Sequence, residues 1–248
     1  MATLLETFDL RKTYKTGALD VEALRGVDLR VEAGEMLAVM GPSGCGKSSL
    51  MHILGAMTQP TDGEVRLEGV NVADMDDRAR TEFRRSKVGF VFQKFNLLPT
   101  LTARANIEIT RYIQGSRGDS EADASLSEVL RMLDIEDKMA RRPAELSGGE
   151  QQRVAIARAV VKHPAILLAD EPTGNLDSTN SDIVLEMFRE LNRKFGQTII
   201  LVTHNPELAT FTDRVVEMRD GRIVNDGTAE DWVAAESKLL SESLAGRS

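Results

Sequence analysis

The sequence of 248 residues is poor in cysteine and aromatic side chains, and its apolar runs are short. The single cysteine, Cys45, excludes an internal disulfide framework and fits a reducing compartment. The longest apolar runs, such as residues 165–169 and 198–202, are far shorter than the roughly 18 residues that a membrane-spanning helix needs. The N-terminus carries acidic residues and no basic flank before an apolar stretch, which argues against a secretory signal. We therefore expect a soluble cytoplasmic protein.

Basic charge is also scarce, because 31 Lys and Arg residues face 39 Asp and Glu residues and give a net charge of −8. An acidic balance without a clustered basic surface argues against broad nucleic-acid binding. Hydrophobic residues make up 42% of the chain and charged residues 28%, which is typical of a soluble globular protein with a sizeable core.

Two kinds of strand pattern recur along the chain. Residues 24–31 and 64–70 alternate between apolar and polar, which is typical of half-buried strands. Apolar side chains at three- and four-residue steps from Ile183 to Phe195 predict an amphipathic helix. Continuous apolar runs, typical of parallel strands covered on both faces, occupy residues 36–40, 88–92, 165–169 and 198–202. The order of strand, helix and strand predicts an α/β fold.

The middle of the chain, residues 94–164, has no strand pattern. Apolar spacing between Leu126 and Leu133 predicts a helix, a second helix begins near Ser147, and the polar segment 115–123 is interpreted as a surface loop. We predict one domain over residues 1–248, with a core at 1–93 and 165–227, an inserted helical subdomain at 94–164 and a C-terminal helical tail at 228–248.

A glycine-rich segment directly follows the apolar run at 36–40. Residues 41–49 read GPSGCGKSS and match the phosphate-loop pattern G-x-x-x-x-G-K-[ST] between a strand and a helix. The glycines allow the backbone to turn tightly and to aim N–H groups at phosphate oxygens. Lys47 is expected to reach the β- and γ-phosphates and Ser48 to hold Mg²⁺. The predicted nucleotide-binding residues of this loop are Gly41, Pro42, Ser43, Gly44, Cys45, Gly46, Lys47, Ser48 and Ser49.

Two carboxylates follow the apolar run at 165–169. Asp170 is suited to support Mg²⁺, and Glu171 is suited to orient and polarise the water that attacks a γ-phosphate. Carboxylates at a strand end also occur in solvated turns. Because the chain contains a phosphate loop as well, we interpret this pair as catalytic.

Residues 146–153 read LSGGEQQR and open a helix. Ser147, Gly148 and Gly149 expose backbone N–H groups at its N-terminus, which makes an anion site. This segment resembles the signature of the ATP-binding-cassette (ABC) ATPase family. Together with the phosphate loop and the carboxylate pair, it extends the resemblance to this family over nearly the whole chain. The resemblance implies a P-loop NTPase core with a mostly parallel sheet, an N-terminal antiparallel β region and an inserted helical subdomain. It also implies ATP and Mg²⁺ as cofactors.

The resemblance assigns roles to four further residues. Gln93 is similar to the glutamine that touches Mg²⁺ or the attacking water. His204 is similar to the switch histidine that contacts the γ-phosphate and helps to hold Glu171. Asp177 is similar to the aspartate that crosses the dimer interface, and Tyr14 to the aromatic residue that stacks on adenine.

The resemblance also implies a homodimer, since in the family the signature of one copy closes over ATP held by the other. The implied signature contacts are Ser147, Gly148, Gly149 and Glu150. The implied catalytic residues are Glu171, His204 and Gln93, and the implied metal contacts are Ser48, Gln93 and Asp170.

Residues 95–107 and 171–178 resemble the lipoprotein-release and macrolide-exporter branch of the family, to which the cell-division members are similar. This implies a subunit at the cytoplasmic face of the inner membrane that powers a separate membrane permease. The implied process is export or extraction of a lipidated or hydrophobic substrate, a peptide or a drug. The apolar group around Leu98 is a candidate docking patch for the permease.

Two other functions are compatible with the same catalytic residues. One is a nucleotide-gated mechanical switch that signals to an envelope or cell-division partner without transport. The other is a soluble ABC protein that acts on ribosomes or DNA. Such proteins usually carry two cassettes or a long coiled-coil insertion, and this acidic chain shows neither.

Overall fold

The computed structural model describes residues 2–17, 19–113 and 120–235, and it contains two sheets with helices around them. The first sheet has the order β2-β1-β4-β5, and all of its strand pairs are antiparallel. Its strands are β1 (Thr3–Thr16), β2 (Leu19–Glu32), β4 (Asp62–Leu67) and β5 (Val70–Asn71).

The second sheet has the order β10-β9-β3-β8-β7-β6 and is parallel except for the last pair, β9 with β10. Its strands are β3 (Met36–Met40), β6 (Val88–Phe92), β7 (Ile166–Asp170), β8 (Thr198–Val202), β9 (Arg214–Arg219) and β10 (Arg222–Thr228). Every residue of β3 and β8 is buried, as the continuous apolar runs predict. The predicted α/β class with a mostly parallel sheet and an antiparallel β region is confirmed.

Seven helices connect or flank these strands within the described residues, and residues 229–235 are also helical. The helices are α1 (Lys47–Leu54), α2 (Asp77–Lys87), α3 (Ala103–Ile113), α4 (Ser120–Met132), α5 (Gly148–Val160), α6 (Ser178–Phe195) and α7 (Pro206–Ala209). In the described part of 94–164 all regular structure is helical. None of the described helices has the length and apolar character to cross a membrane.

The core lies on both faces of the second sheet. Along β8, Ile200 and Val202 pack into a cluster shared with the antiparallel sheet and α1, whereas Ile199 and Leu201 pack into a cluster shared with α3–α6. Alternate residues of β8 therefore face opposite sides of the sheet, which is typical of a strand that is covered on both sides.

Three expectations need correction or limits. The alternating run 64–70 is not one strand, because Glu68 and Gly69 both adopt left-handed φ angles (+51° and +77°) and form a hairpin turn between β4 and β5. The loop expected at 115–123 is wrong from residue 120 onward, where α4 begins, because helix propensity outweighs the polar composition. Residues 115–119 lie outside the described residues. The helical tail predicted from residue 228 begins one residue later, because Thr228 still belongs to β10. Residues 229–235 are helical, and 236–248 lie outside the described residues.

The parallel strands place four connecting loops at one edge of the sheet. β3, β6, β7 and β8 all run in the same direction, and Asp170 at the end of β7 is in register with Val202 at the end of β8. The carboxyl edge of such a sheet is where ligands bind in open α/β folds.

Candidate functional site

A cavity of about 610 Å³ lies at this carboxyl edge. It brings together the phosphate loop, the two carboxylates, Gln93 and His204, which are far apart in the sequence. Its lining residues are Ala23, Pro42, Ser43, Gly44, Gly46, Lys47, Ser48, Ser49, Gln93, Asp170, Glu171 and His204. Of the predicted site residues, the lining leaves out Tyr14, Gly41, Cys45, the signature residues and Asp177. It adds Ala23, which sequence reasoning missed.

The phosphate loop requires glycine at the position before α1. Gly46 has φ +108°, and a Cβ there would lie 2.4 Å from the carbonyl oxygen of Ala23. No side chain caps α1 at Gly46, so the N-terminal N–H groups of this helix face the loop without a side-chain partner from that position. This arrangement suits an anionic ligand.

Lys47 is held inside the loop. Its Nζ donates hydrogen bonds to the carbonyl oxygens of Gly41 (2.7 Å) and Pro42 (3.0 Å), and the residue is only 8% exposed. Cys45, which belongs to the same loop, is buried, and its Sγ atom lies 3.9 Å from Nζ of Lys47. The loop therefore places a positive charge at the cavity wall, where it can pair with phosphate oxygens.

The two carboxylates follow each other at the end of β7. Burial, reinforced by the negative charge of Glu171, raises the pKa of Asp170 above its usual range, while His52 and Lys47 act in the opposite direction. A cation beside Asp170 would favour its ionised form. The chemistry of this carboxyl group therefore suits a metal contact.

Glu171 is fixed by the segment that follows β8. Thr203 Oγ1 donates to Glu171 Oε2 (3.0 Å), and the backbone N–H of His204 donates to Oε1 (3.1 Å). The Nδ1 atom of His204 lies 2.6 Å from the same Oε1. Because a carboxylate only accepts hydrogen bonds, Nδ1 carries the proton in this contact. Thr203 was missed by sequence reasoning, although its hydroxyl at the end of a buried strand is a signal that could have found it.

Gln93 is tied to the loop that follows Glu171. Asn175 Nδ2 donates to the backbone oxygen of Gln93 at 2.8 Å. Asp177 caps α6, where its Oδ1 accepts from the N–H of Asn180 at 2.8 Å, and this bond lowers the pKa of Asp177. The structure thus connects Gln93 and Asp177 to the same short segment.

The signature residues form the start of α5. Ser147 Oγ accepts from the N–H of Glu150 (3.2 Å), and Glu150 Oε2 accepts from the N–H of Ser147 (2.7 Å), which completes a capping box. The bond from Ser147 lowers the pKa of Glu150. Gly149 is required by packing, since a Cβ there would lie 2.2 Å from Asn180 Oδ1. The signature is therefore pre-formed but stands apart from the lining of its own chain's cavity.

Tyr14 is also outside the cavity lining. It pairs with Val21 across β1 and β2, is 37% exposed, and carries Lys12 Nζ at 5.0 Å from its ring centre. Its predicted contact with adenine stays a prediction.

Comparison with protein-family models identifies the family described as "ABC transporter" over residues 24–174, more than half of the chain. The lipoprotein-releasing system ATP-binding protein LolD of Geobacter metallireducens is 47% identical over 226 residues, which are 91% of this chain and 100% of that protein. The macrolide export ATP-binding/permease protein MacB of Syntrophobacter fumaroxidans is 46% identical over 221 residues. This match covers 89% of the chain but 31% of the MacB protein, so the chain spans about a third of that relative.

Two solved structures share the fold. One is a dimer of the ATP-binding cassette MJ0796 of Methanocaldococcus jannaschii in a post-hydrolysis state bound to ADP and Pi. It has a TM-score of 0.82 and 38% identity, and the match covers 91% of this chain and 99% of that one. The other is cbiO1 from Clostridium perfringens, with a TM-score of 0.85, 25% identity, and coverage of 98% and 94%.

Proposed function

This chain belongs to the ABC transporter family of ATPases, and from that membership we propose that two copies enclose two ATP molecules and use their hydrolysis to drive a membrane permease. The observation that carries the proposal is the cavity, which joins the phosphate loop to Asp170, Glu171 and His204. The signature at the start of α5 is absent from the lining of this cavity, which supports its use on ATP held by a second copy. The dimeric MJ0796 cassette, bound to ADP and Pi, supports a dimer that holds nucleotide.

ATP binding is assigned to the phosphate loop. The backbone N–H groups around Gly44 and Gly46, the start of α1 and Lys47 surround the space that the β- and γ-phosphates would fill. A phosphate oxygen would compete with the carbonyls of Gly41 and Pro42 for the Lys47 ammonium, and charge-assisted pairing favours the phosphate.

Magnesium fits the oxygen donors on the cavity wall. Ser48 supplies a hydroxyl, Asp170 a carboxylate and Gln93 an amide oxygen, all hard donors lining one cavity. The described residues contain no cluster of three or more His, Cys, Asp or Glu that could hold a metal unaided. This suits Mg²⁺, which proteins commonly hold with one or two carboxylates together with substrate phosphates. When bound, the ion neutralises charge on the phosphates.

Hydrolysis is assigned to Glu171. Its carboxylate is held by Thr203 and His204, so that it can accept a proton from the attacking water in one fixed orientation. The Nδ1–H of His204 binds Glu171, and His204 lines the same cavity as the phosphate loop. The pair thus aligns water and γ-phosphate.

Replacing Glu171 tests this assignment. Glu171→Gln keeps the size of the side chain and removes the base, so we expect turnover to fall by about 100-fold or more while ATP still binds. Glu186→Gln, on the exposed outer face of α6, is the matched control and should keep wild-type turnover. Wild-type turnover in Glu171→Gln would contradict the assignment.

The permease contact is assigned to the segment after Gln93. Asn106, fully buried, accepts from the N–H of Leu98 (2.7 Å) and donates to its carbonyl (3.1 Å), and so fixes this segment. Leu97 packs partly against the core, whereas Leu98 stays 43% exposed. An apolar side chain held outward on a braced segment suits docking to another protein.

A pair of variants tests this contact. Leu98→Asp should keep basal hydrolysis and lose stimulation by the permease. Met57→Asp, at a side chain that is likewise 43% exposed but lies elsewhere on the surface, should keep both. Equal stimulation of the two variants would remove Leu98 from the interface.

The relatives support the proposed permease, location and class of transported substrate. LolD, matched over 100% of its length, is named as an ATP-binding protein only, whereas MacB is named as an ATP-binding/permease protein. We therefore assign the permease to a separate polypeptide and the ATPase to the cytoplasmic face of the inner membrane. The process is export or extraction of a lipidated or hydrophobic substrate, a peptide or a drug. Identification of the membrane protein that co-purifies with the chain tests these points together.

A further inference from the structure

One buried side chain connects the signature helix to the turn that carries Glu171. Gln152 lies on α5 and is 0% exposed. Its Nε2 donates to the backbone oxygen of Pro172 at 2.6 Å, and Pro172 directly follows Glu171.

A glutamine at this position lowers the stability of the fold through its second polar atom. Its Oε1 is buried and has no hydrogen-bond partner among the described residues. Burial of an unpaired polar atom costs stability. A methionine of similar length would fill the same space without this atom, but it would leave the oxygen of Pro172 without the donor it has now. A glutamine kept at a buried position for one hydrogen bond, with its other polar atom unpaired, points to a requirement for that bond. The group that the site gains from Gln152 is the N–H donor.

The turn that receives this hydrogen bond is strained. Glu171 has φ +44°, a left-handed conformation that non-glycine residues seldom adopt. Such a conformation persists only when its surroundings hold it. The N–H of Glu171 donates to the oxygen of Val202 (2.8 Å), and its carbonyl accepts from the N–H of Gly174 (3.0 Å). Gln152 holds the carbonyl that comes next along the chain.

The same helix begins with the signature. Ser147 caps α5, and Gln152 lies five residues later in the second turn, so both are parts of one rigid element. Gly149 contacts Asn180 at the start of α6, which ties α5 to the segment after Glu171 from a second side. A displacement of the signature end of α5 would therefore reach the Glu171 turn through Gln152.

We propose that Gln152 is a positioning residue for ATP hydrolysis. Its bond to Pro172 keeps the Glu171 carboxylate in the orientation that activates water, and it links that orientation to the position of the signature on α5. This inference rests on the proposed function, since it takes Glu171 as the base.

The test compares two glutamines that both bind a proline carbonyl. Gln197 Nε2 donates to the oxygen of Pro164 at 3.1 Å. Gln197 lies just before β8 and Pro164 just before β7, so this bond is at the amino edge of the sheet, away from the site. Gln152→Met should lower kcat about tenfold and change KM for ATP by less than about twofold. Gln197→Met should leave kcat and KM within about twofold of wild type, with a similar or larger fall in melting temperature.

A second background separates positioning from general destabilisation. In Glu171→Gln, single-turnover cleavage of radiolabelled ATP should be the same with Gln152 and with Gln152→Met, because the group being positioned is already gone. In the same background, ATP binding should also be unchanged.

Three results would overturn the inference. The first is a kcat for Gln152→Met equal to that of Gln197→Met. The second is a parallel change in kcat, KM and melting temperature in Gln152→Met. The third is a further fall in single-turnover cleavage when Gln152→Met is added to Glu171→Gln. All three are distinct from failure of the proposed function, which would show as wild-type turnover in Glu171→Gln alone.

Discussion

The two sides of the cavity are built in different ways. On the binding side, Lys47 is held by carbonyls five and six residues away within its own loop. On the hydrolytic side, Glu171 is held by Thr203 and His204, 32 and 33 residues away, and its turn by Gln152, 20 residues from Pro172. The charge of Lys47 is therefore held within its own loop, whereas the carboxylate on the hydrolytic side is held only when separate segments are aligned. Under the proposed function, we infer that ATP binds first and that hydrolysis waits for this alignment.

Substitution of the loop glycine should give the largest effect. Gly46→Ala places a Cβ 2.4 Å from the backbone oxygen of Ala23 and imposes a strained φ, so we expect ATP affinity to fall by about 100-fold or more. Gly69→Ala has similar φ strain with no atom within 4 Å of the added Cβ, and should cost about 1 kcal/mol of stability with ATP affinity retained. Titration with a fluorescent ATP analogue measures the affinity of each variant. Equal affinities would show that the loop tolerates displacement.

Removal of one brace on the hydrolytic side should give a smaller and more selective effect. Thr203→Val removes the hydrogen bond to Glu171 Oε2 at a fully buried position, so we expect kcat to fall about tenfold with ATP affinity unchanged. Thr212→Val removes a buried hydroxyl that donates to the oxygen of Ala209, away from the site, and should keep kcat. A fall in ATP affinity in Thr203→Val would blur the distinction between the two sides.

The smallest effect is a pH dependence of stability. Burial and the charge of Glu171 raise the pKa of Asp170 in the folded state, so this group contributes stability at low pH and loses it as pH rises through that pKa. Without nucleotide or metal, Asp170→Asn should melt above wild type at pH 8, and the difference should shrink as the pH falls through the raised pKa of Asp170. Thermal melts across this range measure it. A difference that grows as pH falls would contradict the sign.

Local signals made the binding side predictable. The loop at 41–49 and the strands at 36–40 and 198–202 follow from a contiguous motif and from apolar runs, and the structure has both strands at these bounds. The same kind of reasoning failed at Glu68 and Gly69, because two left-handed residues inside an alternating pattern leave no mark on hydropathy.

The hydrolytic side was only partly predictable. Glu171 and His204 were found by pattern and resemblance, but Thr203 and Gln152 were not, because their partners lie 20 to 32 residues away and become neighbours only through the order of the parallel strands. Ala23 reaches the cavity from the other sheet, which no local pattern indicates. Long-range contacts of this kind depend on topology, and the sequence around each residue does not encode them.

Mixing two inactive variants tests most directly whether each site is shared between two copies. Lys47→Ala removes the phosphate contact and Ser147→Arg blocks the signature, so each variant alone should hydrolyse no ATP. A mixed dimer retains one intact site if the loop of one copy works with the signature of the other, and an equal mixture should recover up to about a quarter of wild-type turnover. A mixture as inactive as its separate components would contradict the shared site.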